Sequence, residues 1–350
     1  MTNARLVLLP GDGIGPEVVD AAEHVLEALA AGGDFSVTLE RCAIGGAAID
    51  AHGDPLPKAT VEACVASHGV LLGAVGGPQW DNPGAAVRPE QGLLRLRQAM
   101  EVFANLRPTR AEPSLAVASP LKPDRLEGVD LLVVRELTGG IYFGDKKEGV
   151  EEATDVCTYH AGEVERVVRL AAEQARKRRG RLTLVDKANV LATSRLWRGV
   201  TSGILANDYP DLEFETILVD AAAMMLVTRP AHFDVIVTEN MFGDILTDEC
   251  AAVFGSLGVL PSASLAAEGP GLYEPIHGSA PDIAGQNKAN PMGTILSTAL
   301  LLELELDRVD LAERIRGAVS GALAAAETTP DLGGSLTTRE VTKAVVRRLA

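Results

Sequence analysis

Two aspartates, Asp244 and Asp248, have the spacing in this sequence that most suggests chemistry. They belong to the segment Asn-Met-Phe-Gly-Asp-Ile-Leu-Thr-Asp-Glu at positions 240–249. On an α-helix this spacing stacks both carboxylates on one face, where like charges repel unless a positive charge lies beside them. A divalent cation, Mg²⁺ or Mn²⁺, is one candidate because such ions prefer oxygen ligands. Two solvated acids in the first turns of a helix are the alternative.

A second group consists of three arginines, Arg97, Arg107 and Arg135. Guanidinium groups bind carboxylates through paired hydrogen bonds. One predicted helical face combines the first arginine with an acid and two leucines: Glu90, Leu93, Leu94 and Arg97. The leucines would suit a branched aliphatic group beside a bound carboxylate. An ordinary amphipathic helix, with the leucines in the core and the arginines solvated, is the alternative.

Three further side chains lie at or just beyond the ends of predicted strands, where ligands bind in open α/β sheets. Tyr142 follows Arg135 in a glycine-rich loop, whereas Lys187 and Asp220 each end a strand of their own. A phenol can donate a proton, and a lysine near a metal and several arginines can have a lowered pKa and act as a base. Asp220 would be a third carboxylate for the cation. Taken singly, each of these residues is more often structural.

The composition excludes several classes of protein. The chain of 350 residues has a formal net charge of -16, whereas sequence-independent binding to nucleic acid needs a basic surface. Its four cysteines are far apart, so a zinc site or a disulfide framework is not expected, and a reducing cytoplasm fits. No apolar run has the length of a signal-peptide core or a membrane span. We expect a soluble cytoplasmic protein with no nucleic-acid or membrane partner.

Short β-rich runs alternate with helical patterns along the chain, which is typical of an α/β protein with a largely parallel sheet. The predicted strands are Leu6–Leu9, Val37–Arg41, Val70–Val75, Leu131–Arg135, Leu182–Val185, Phe214–Val219 and Val235–Thr238. The predicted helices include Glu17–Ala30, Ala161–Arg178, Ile295–Leu304, Leu311–Ala326 and Val341–Leu349. The length favours two domains. Because no Pro/Gly/Ser-rich tether separates them, we expect them to be intertwined in sequence.

The first predicted strand runs into a glycine turn, Gly11-Asp12-Gly13-Ile14-Gly15-Pro16, and then a helix. This order resembles a dinucleotide-binding loop, but the third glycine comes one residue too early for that motif. A tight turn in which Pro16 opens the helix is at least as good an interpretation. No phosphate-binding P-loop, nucleophile elbow or His-Glu-x-x-His motif occurs, so nucleophilic triads and zinc hydrolysis have no support.

Taken together, these residues resemble the β-decarboxylating dehydrogenases, the isocitrate/isopropylmalate dehydrogenase family. The resemblance covers essentially the whole chain, from Leu9–Glu17 to Thr329–Gly334, and is most specific at positions 240–249 and 274–285. It implies a two-domain α/β fold that is not a Rossmann fold, with mixed sheets flanked by helices. The first domain would comprise residues 1–102 plus 255–350 and bind the cofactor. The second, residues 103–254, would carry the metal and catalytic residues and the dimer interface.

The implied activity is the NAD⁺-dependent oxidative decarboxylation of (2R,3S)-3-isopropylmalate to 4-methyl-2-oxopentanoate and CO₂ in leucine biosynthesis. The resemblance implies a homodimer with shared active sites. Asp244 and Asp248 would hold Mg²⁺ or Mn²⁺ together with Asp220 of the partner subunit. Lys187 of the partner subunit would help remove the hydroxyl proton, and Tyr142 would protonate the enolate after CO₂ leaves.

Substrate and cofactor contacts are implied residue by residue. The expected substrate contacts are Glu90, Leu93, Leu94, Arg97, Arg107, Arg135, Val190 and Asp220. The expected cofactor contacts are Gly77, Glu90, Asn189, Glu274, His277, Gly278, Ser279, Ala280, Pro281, Asp282, Ile283 and Asn290. The segment Trp80–Glu90 would also line the cofactor.

Two details of these sets predict specificity. Isocitrate enzymes of the family usually have a serine where this chain has Leu93 and Leu94. The serine hydroxyl recognises the extra carboxylate of their substrate. The leucines instead favour an isopropyl group. Asp282 followed by Ile283 favours NAD⁺, because the aspartate can accept hydrogen bonds from the ribose hydroxyls and would repel a 2′-phosphate. NADP⁺-dependent members have lysine and tyrosine at these positions.

Three alternatives remain at this point. The chain could be a tartrate, homoisocitrate or malate-type enzyme of the same family. It could be a non-catalytic regulatory subunit with the same fold, although the five residues that such a chain would be expected to lose are all present: Tyr142, Lys187, Asp220, Asp244 and Asp248. A plain dinucleotide-binding module is the third alternative.

Overall fold

The computed structural model describes residues 3–33, 35–80, 87–116, 119–254 and 257–349. The chain divides into two compact units, Met1–Val102 with Ser256–Ala350, and Phe103–Gly255. Positions 81–86 of the segment expected to line the cofactor lie outside the described residues. Among the described residues, no helix combines the length and the apolar character needed to cross a membrane.

The strands of the described residues are, in chain order, β1 Asn3–Gly11, β2 Ser36–Arg41, β3 Gly69–Ala74, β4 Ala104–Arg110, β5 Asp130–Glu136, β6 Lys146–Lys147, β7 Thr154–Asp155, β8 Arg181–Asp186, β9 Glu213–Leu218, β10 Val235–Thr238, β11 Pro261–Leu265 and β12 Leu272–Pro275. The helices are α1 Gly15–Ala31, α2 Gly45–His52, α3 Lys58–Val65, α4 Pro89–Ala99, α5 Pro123–Leu126, α6 Ala161–Arg176, α7 Ala192–Asp208, α8 Val219–Thr228, α9 Asn240–Phe254, α10 Met292–Leu304, α11 Val309–Ala324 and α12 Thr338–Val346.

Both units are built on a mixed sheet. In the first unit the strand order is β2-β1-β3-β12-β11, parallel except that β11 runs antiparallel to β12. In the second unit the order is β4-β5-β10-β8-β9, parallel except that β4 runs antiparallel to β5. Every residue of β3 and of β10 is buried, as expected for parallel strands covered on both faces. The predicted α/β class with mixed sheets is confirmed.

The register of the second sheet decides which side chains share an edge. Arg135 at the end of β5 pairs with Thr238 at the end of β10, and Thr238 pairs with Val185 near the end of β8. Asp186 pairs in turn with Leu218 at the end of β9. Parallel strands present their carboxyl ends at one edge, so the loops and helices that follow these four strands begin together.

Two features of this sheet differ from the sequence prediction. Asp220 does not end a strand, because β9 stops at Leu218 and Asp220 lies in the first turn of α8. Arg107 lies on a strand that the sequence did not predict, β4, whose residues Arg-Pro-Thr-Arg at 107–110 show no apolar alternation. Long-range pairing with β5 forms this strand in spite of its sequence.

Helix α9 packs one face into the core of the second unit. Leu246, Cys250 and Val253 lie in a buried cluster with Met225 of α8 and Phe233. Their spacing is that of a helical stripe, so burying this stripe directs the opposite face of α9 outward. The core therefore determines where the two aspartates of α9 point.

Replacing Leu246 by alanine is expected to lower the free energy of unfolding by about 3 kcal/mol, because the fully buried side chain leaves a cavity. Urea unfolding followed by circular dichroism measures this loss. The matched control is Val309→Ala, at a position 48% exposed, for which a change within about 0.5 kcal/mol is expected. Equal losses in the two variants would contradict the assignment of Leu246 to the core.

Candidate active site

A group of four charged side chains in the second unit lies along the outward face of α9. Asp244 and Asp248 are separated by one helical turn on this face, with side chains 36% and 68% exposed. Two guanidinium groups lie beside them, Arg107 from β4 and Arg135 from β5. The positive charge that the spacing of the aspartates requires is thus supplied within the chain by arginine.

Arg135 is the more buried of the two arginines, with 7% of its surface exposed. It forms an ion pair with Asp244, and both its Nε and its Nη2 donate to Oδ1 of Asn240, at 3.1 and 2.8 Å. The arginine reaches this position because residue 243 is glycine: a Cβ there would lie 2.6 Å from Cγ of Arg135. A buried cation is tolerated only with such paired and hydrogen-bonded surroundings.

Arg107 lies between the two carboxylates. Its Nη2 is 3.8 Å from Oδ1 of Asp244, and its Nη1 is 3.5 Å from Oδ1 of Asp248. Two polar side chains hold the guanidinium, because Nη1 donates to the Thr247 hydroxyl at 2.5 Å and Nε donates to Asn105 at 2.8 Å. The arrangement orients a planar donor toward the open side of α9, where a carboxylate ligand could bind it.

Tyr142 completes this group. It ends the short 3₁₀ turn Gly140–Tyr142, and its hydroxyl donates to Oδ2 of Asp244 at 3.0 Å. Its ring also lies 5.8 Å from the Arg135 guanidinium carbon. Burial and the neighbouring Asp244 carboxylate raise the pKa of the Tyr142 phenol above its ordinary value. The phenol therefore keeps its proton at neutral pH, as a proton donor must.

Lys187 and Asp220 lie together and form an ion pair with each other. The Lys187 hydrogen bond lowers the pKa of the Asp220 carboxyl below its ordinary value. Over the described ranges, no group of three or more His, Cys, Asp or Glu side chains could hold a metal ion. One chain thus supplies two neighbouring carboxylates on α9 and a third elsewhere. Carboxylate oxygens suit a hard divalent cation, and waters, substrate oxygens or another carboxylate would complete the ligands that Asp244 and Asp248 begin.

The face of α4 that was predicted to bind substrate is formed partly as expected. Arg97 pairs with Glu274 at 2.7 Å, and the Nε of Arg97 is buried without a hydrogen-bond acceptor among the described residues. Leu93 is half-buried and Leu94 is 48% exposed, whereas Leu96 is fully buried. The alternative that Leu93 and Leu94 are core residues is wrong. An orphaned guanidinium nitrogen next to an exposed leucine suits a ligand with both a carboxylate and an apolar group.

The segment predicted to bind the cofactor follows β12 as a loop in the first unit. Glu274 lies on β12, and the loop continues through His277, Gly278, Ser279, Ala280, Pro281, Asp282 and Ile283. Within the part of the chain that the structure describes, the buried Nε2 of His277 has no hydrogen-bond partner, and burial lowers the pKa of this imidazole. A neutral ring with an unsatisfied nitrogen suits a ligand that supplies the missing hydrogen bond.

The glycine turn after β1 supports this loop. The backbone N–H of Ile14 donates to the carbonyl of Ser279 at 2.8 Å. The Asp12 carboxylate, 5% exposed, accepts from the backbone N–H groups of Gly46, Ala47 and Gly76 at 2.7–2.8 Å. The interpretation of the turn as structural therefore fits its contacts better than that of a phosphate-binding loop.

The other predicted contacts are dispersed. Gly77 follows β3, Glu90 is exposed in the first turn of α4, and the exposed Asn189 and Val190 follow Lys187. Asn290 is buried and donates to Asp331 at 3.0 Å.

Sequence reasoning missed three residues that organise these groups: Asp12, Asn240 and Thr247. Asn240 and Thr247 lie within the 240–249 segment, three or four residues from its aspartates. That spacing places each of them beside Asp244 on the surface of the same helix, which was the available signal.

Comparisons with known proteins agree with this architecture. The family described as isocitrate/isopropylmalate dehydrogenase matches residues 5–345. A 3-isopropylmalate dehydrogenase of Rhodopirellula baltica is 54% identical, with 99% of each chain covered, and one of Streptococcus pneumoniae is 52% identical at the same coverage. The crystal structure of an isocitrate dehydrogenase from Methylococcus capsulatus superposes with a TM-score of 0.87 at 35% identity, covering 99% of each chain. That of a β-decarboxylating dehydrogenase from Thermococcus kodakarensis gives 0.80 at 36% identity, covering 99% of this chain and 96% of the other.

The chain belongs to the isocitrate/isopropylmalate dehydrogenase family. The resemblance predicted from its motifs is confirmed. Enzymes of the 3-isopropylmalate branch of this family use NAD and a divalent metal ion, Mg²⁺ or Mn²⁺.

A buried acid beside the site yields a prediction about pH. Burial and the Glu136 carboxylate raise the pKa of Glu239, outweighing the hydrogen bonds from Phe242 and Tyr159 and the charge of Arg135. A carboxyl whose pKa is raised on folding lowers the stability of the folded state as the pH rises from the ordinary pKa of that group to the raised one. Glu239→Gln cannot ionise. The melting temperature of this variant relative to wild type is therefore expected to rise as the pH increases above the ordinary glutamate pKa of about 4.3 and to level off above the raised pKa. Differential scanning calorimetry measures it, and a flat difference would contradict the prediction.

Proposed function

We propose that the protein catalyses the NAD⁺-dependent oxidative decarboxylation of (2R,3S)-3-isopropylmalate to 4-methyl-2-oxopentanoate and CO₂, a step of leucine biosynthesis. The observation that carries the proposal is the meeting of a buried arginine and a protonated phenol at one carboxylate, Asp244. This arrangement pairs an anion-binding group with a proton donor. It is supported by relatives named 3-isopropylmalate dehydrogenase that are 50–55% identical over nearly the whole chain.

We assign binding of the substrate carboxylates to Arg97, Arg107 and Arg135. The orphaned Nε of Arg97 and the fork of Arg107 supply donors with the geometry that carboxylates prefer. The exposed Leu94 and half-buried Leu93 would contact the isopropyl group. An extra carboxylate placed against these leucines would lose its hydration without gaining a donor, which disfavours isocitrate and homoisocitrate.

We assign the divalent cation to Asp244, Asp248 and Asp220 of the partner subunit. A bound cation supplies Lewis-acid stabilisation of negative charge on the substrate oxygen, and NAD⁺ accepts the hydride. For the proton transfers we assign two residues of the protein. Lys187 of the partner subunit, in its neutral amine form, would take up the proton of the substrate hydroxyl. The Tyr142 phenol donates its proton to carbon after CO₂ leaves, consistent with its raised pKa.

We assign NAD⁺ to the loop after β12, where the orphaned His277 Nε2 can gain a hydrogen bond. Gly77, Glu90, Asn189, Glu274, Asn290 and residues 278–283 complete the proposed cofactor contacts. The exposed carboxylate of Asp282 favours ribose hydroxyls over a 2′-phosphate.

We further propose that the chain forms a homodimer through α8 and α9. Three large apolar side chains of these helices are exposed: Met224 at 62%, Val227 at 40% and Ile245 at 59%. Grouped exposed apolar residues mark interaction surfaces. Dimerisation through these helices would bring Asp220 and Lys187 of each subunit toward α9 of the other. All four cysteines are free, which suits work in a reducing cytoplasm.

The purified chain is expected to turn over isopropylmalate with NAD⁺ and Mn²⁺, with a kcat/KM far above those for isocitrate, homoisocitrate, tartrate and malate. Absorbance of NADH at steady state measures this, with NADP⁺ as the cofactor control. Chelation of the metal should abolish turnover, and added Mn²⁺ should restore it. A higher kcat/KM on another diacid would overturn the substrate assignment. No turnover of any of them would favour a non-catalytic subunit.

Mixing two inactive variants tests the shared active site. Lys187→Met and Asp244→Asn are each expected to be inactive as homodimers. If Lys187 acts across the interface, the hybrid dimer has one site with both defects and one intact site, so it should regain about half of the wild-type activity. Co-expression with two different affinity tags isolates this hybrid. If the hybrid is inactive, Lys187 works within its own chain and the proposal of shared sites is wrong.

A further inference from the structure

Tyr159, just before α6, lies behind the group formed by Arg135, Tyr142 and Asp244 without belonging to it. Its side chain is buried, with 6% exposed, and its ring packs edge-on against Trp197 at 5.4 Å between centroids. Its hydroxyl accepts the backbone N–H of Asn240 at 3.0 Å. The buried Glu239 carboxyl group also interacts with this hydroxyl. The phenol thus has polar contacts with two consecutive residues, Glu239 and Asn240, at the beginning of α9.

The glycine loop that carries Tyr142 passes directly over the same phenol. A Cβ on Gly139 would lie 2.7 Å from a ring carbon of Tyr159, and a Cβ on Gly140 would lie 2.4 Å from its hydroxyl oxygen. Gly140 also has a φ of +78°, which L side chains rarely adopt. The loop is held there by a hydrogen bond from the N–H of Gly140 to the carbonyl of Thr158, at 3.0 Å. The phenol therefore determines how closely this loop can approach α9.

Asn240, the residue that Tyr159 holds, is the one that orients Arg135. The amide oxygen of Asn240 accepts both hydrogen bonds from the Arg135 guanidinium, and its Nδ2 donates to the carbonyl of Gly139 at 3.3 Å. Arg135 and Tyr142 then meet at Asp244. The Tyr159 hydroxyl thus supports Asn240, which orients Arg135. It also supports the glycine loop, which carries Tyr142.

We infer that Tyr159 is a positioning residue for the active site: its hydroxyl fixes α9 against the glycine loop, so that Arg135 and Tyr142 reach Asp244 together. Its kinetic test uses the oxidative decarboxylation of isopropylmalate, so the inference rests on the proposed function. Tyr159 touches neither substrate nor cofactor in this assignment. Its effect is transmitted through Asn240 and the glycine loop, and Glu239 holds the orientation of its hydroxyl.

The test is Tyr159→Phe, which keeps the ring against Trp197 and the glycine loop and removes only the hydroxyl. We expect kcat for isopropylmalate to fall by roughly 10- to 100-fold, because displaced catalytic groups lose proximity and proton transfer. KM for isopropylmalate should rise as Arg135 loses its orientation. KM for NAD⁺ should stay unchanged, because its proposed contacts are not held by Tyr159. A purely structural effect would lower the melting temperature without this difference between KM for isopropylmalate, which rises, and KM for NAD⁺, which stays unchanged.

Tyr209→Phe is the matched control. Tyr209 lies in the same unit with the same 6% exposure, and its hydroxyl also interacts with a glutamate, Glu173. Its ring packs against Arg176 at 4.3 Å. The control removes a buried hydroxyl of the same type and is expected to leave kcat and both KM values unchanged. Equal kinetic losses in the two variants would overturn the inference.

Two variants of Glu239 test the network from its other end. Glu239→Leu removes the acceptor for the phenol and should lower kcat, whereas Glu239→Gln keeps an acceptor oxygen and should retain most of the activity that the leucine variant loses. The double variant Tyr159→Phe/Glu239→Leu should lose little more than either single change, because residues that act through one network are not additive. Fully additive losses would contradict a common network. If Tyr159→Phe does not fold, the contrast between the two Glu239 variants decides the question.

Hydrogen exchange gives a readout that does not depend on the substrate. Tyr159→Phe is expected to raise amide exchange at the start of α9 and across residues 138–142, and Tyr209→Phe is not. Unchanged exchange at both places would overturn the inference. If wild type fails to turn over isopropylmalate while exchange rises as expected, the proposed function fails and the positioning by Tyr159 stands.

Discussion

The second unit depends on the attraction between the carboxylates of α9 and the guanidinium groups of two neighbouring strands. Asp244 and Asp248 repel each other at helical spacing, and Arg135, almost fully buried, could not remain charged without acceptors. The carboxylates of α9 therefore require the neighbouring guanidinium groups, and the guanidinium groups require the carboxylates. The side chains of Asp244 and Asp248 nevertheless stay 36% and 68% exposed. A site that binds an anionic substrate beside a cation needs charges that are balanced locally and still accessible to the ligands.

The sheet makes this attraction possible. Parallel neighbours β5, β10, β8 and β9 bring their carboxyl ends to one edge, and helices or turns with polar side chains start there. The antiparallel strand β4 adds Arg107 from the side of the sheet. Neutral polar groups then fix the direction of each charge: Asn240 for Arg135, and Thr247 and Asn105 for Arg107. Such hydrogen bonds preorganise charged groups before a ligand arrives.

The first unit offers a different kind of site, in which burial leaves polar nitrogens without hydrogen-bond partners. Among the described residues, neither Nε of Arg97 nor Nε2 of His277 has a hydrogen-bond partner although both are buried, which is costly unless a ligand completes their hydrogen bonds. The glycine turn after β1 and the Asp12 carboxylate hold the surrounding loops rigidly through backbone contacts. In the proposed assignment, specificity would depend on Leu93 and Leu94 of α4, which favour a branched aliphatic substrate, and on the exposed Asp282, which favours NAD⁺.

Periodicity along the chain was enough to place Asp244 and Asp248 on one helical face, Arg135 at a strand end and the α/β order of the elements, because these features depend on neighbours a few residues away. The motifs likewise identified the family. The sequence could not reveal β4, the helical position of Asp220, or the exposure of Leu93 and Leu94 beside the buried Leu96. It also gave no sign that the Tyr159 hydroxyl accepts a hydrogen bond from the backbone of Asn240, or that the Asp12 carboxylate accepts hydrogen bonds from three backbone N–H groups far away in the chain. Each of these depends on strand register and on contacts between segments far apart in the chain, which local pattern does not encode.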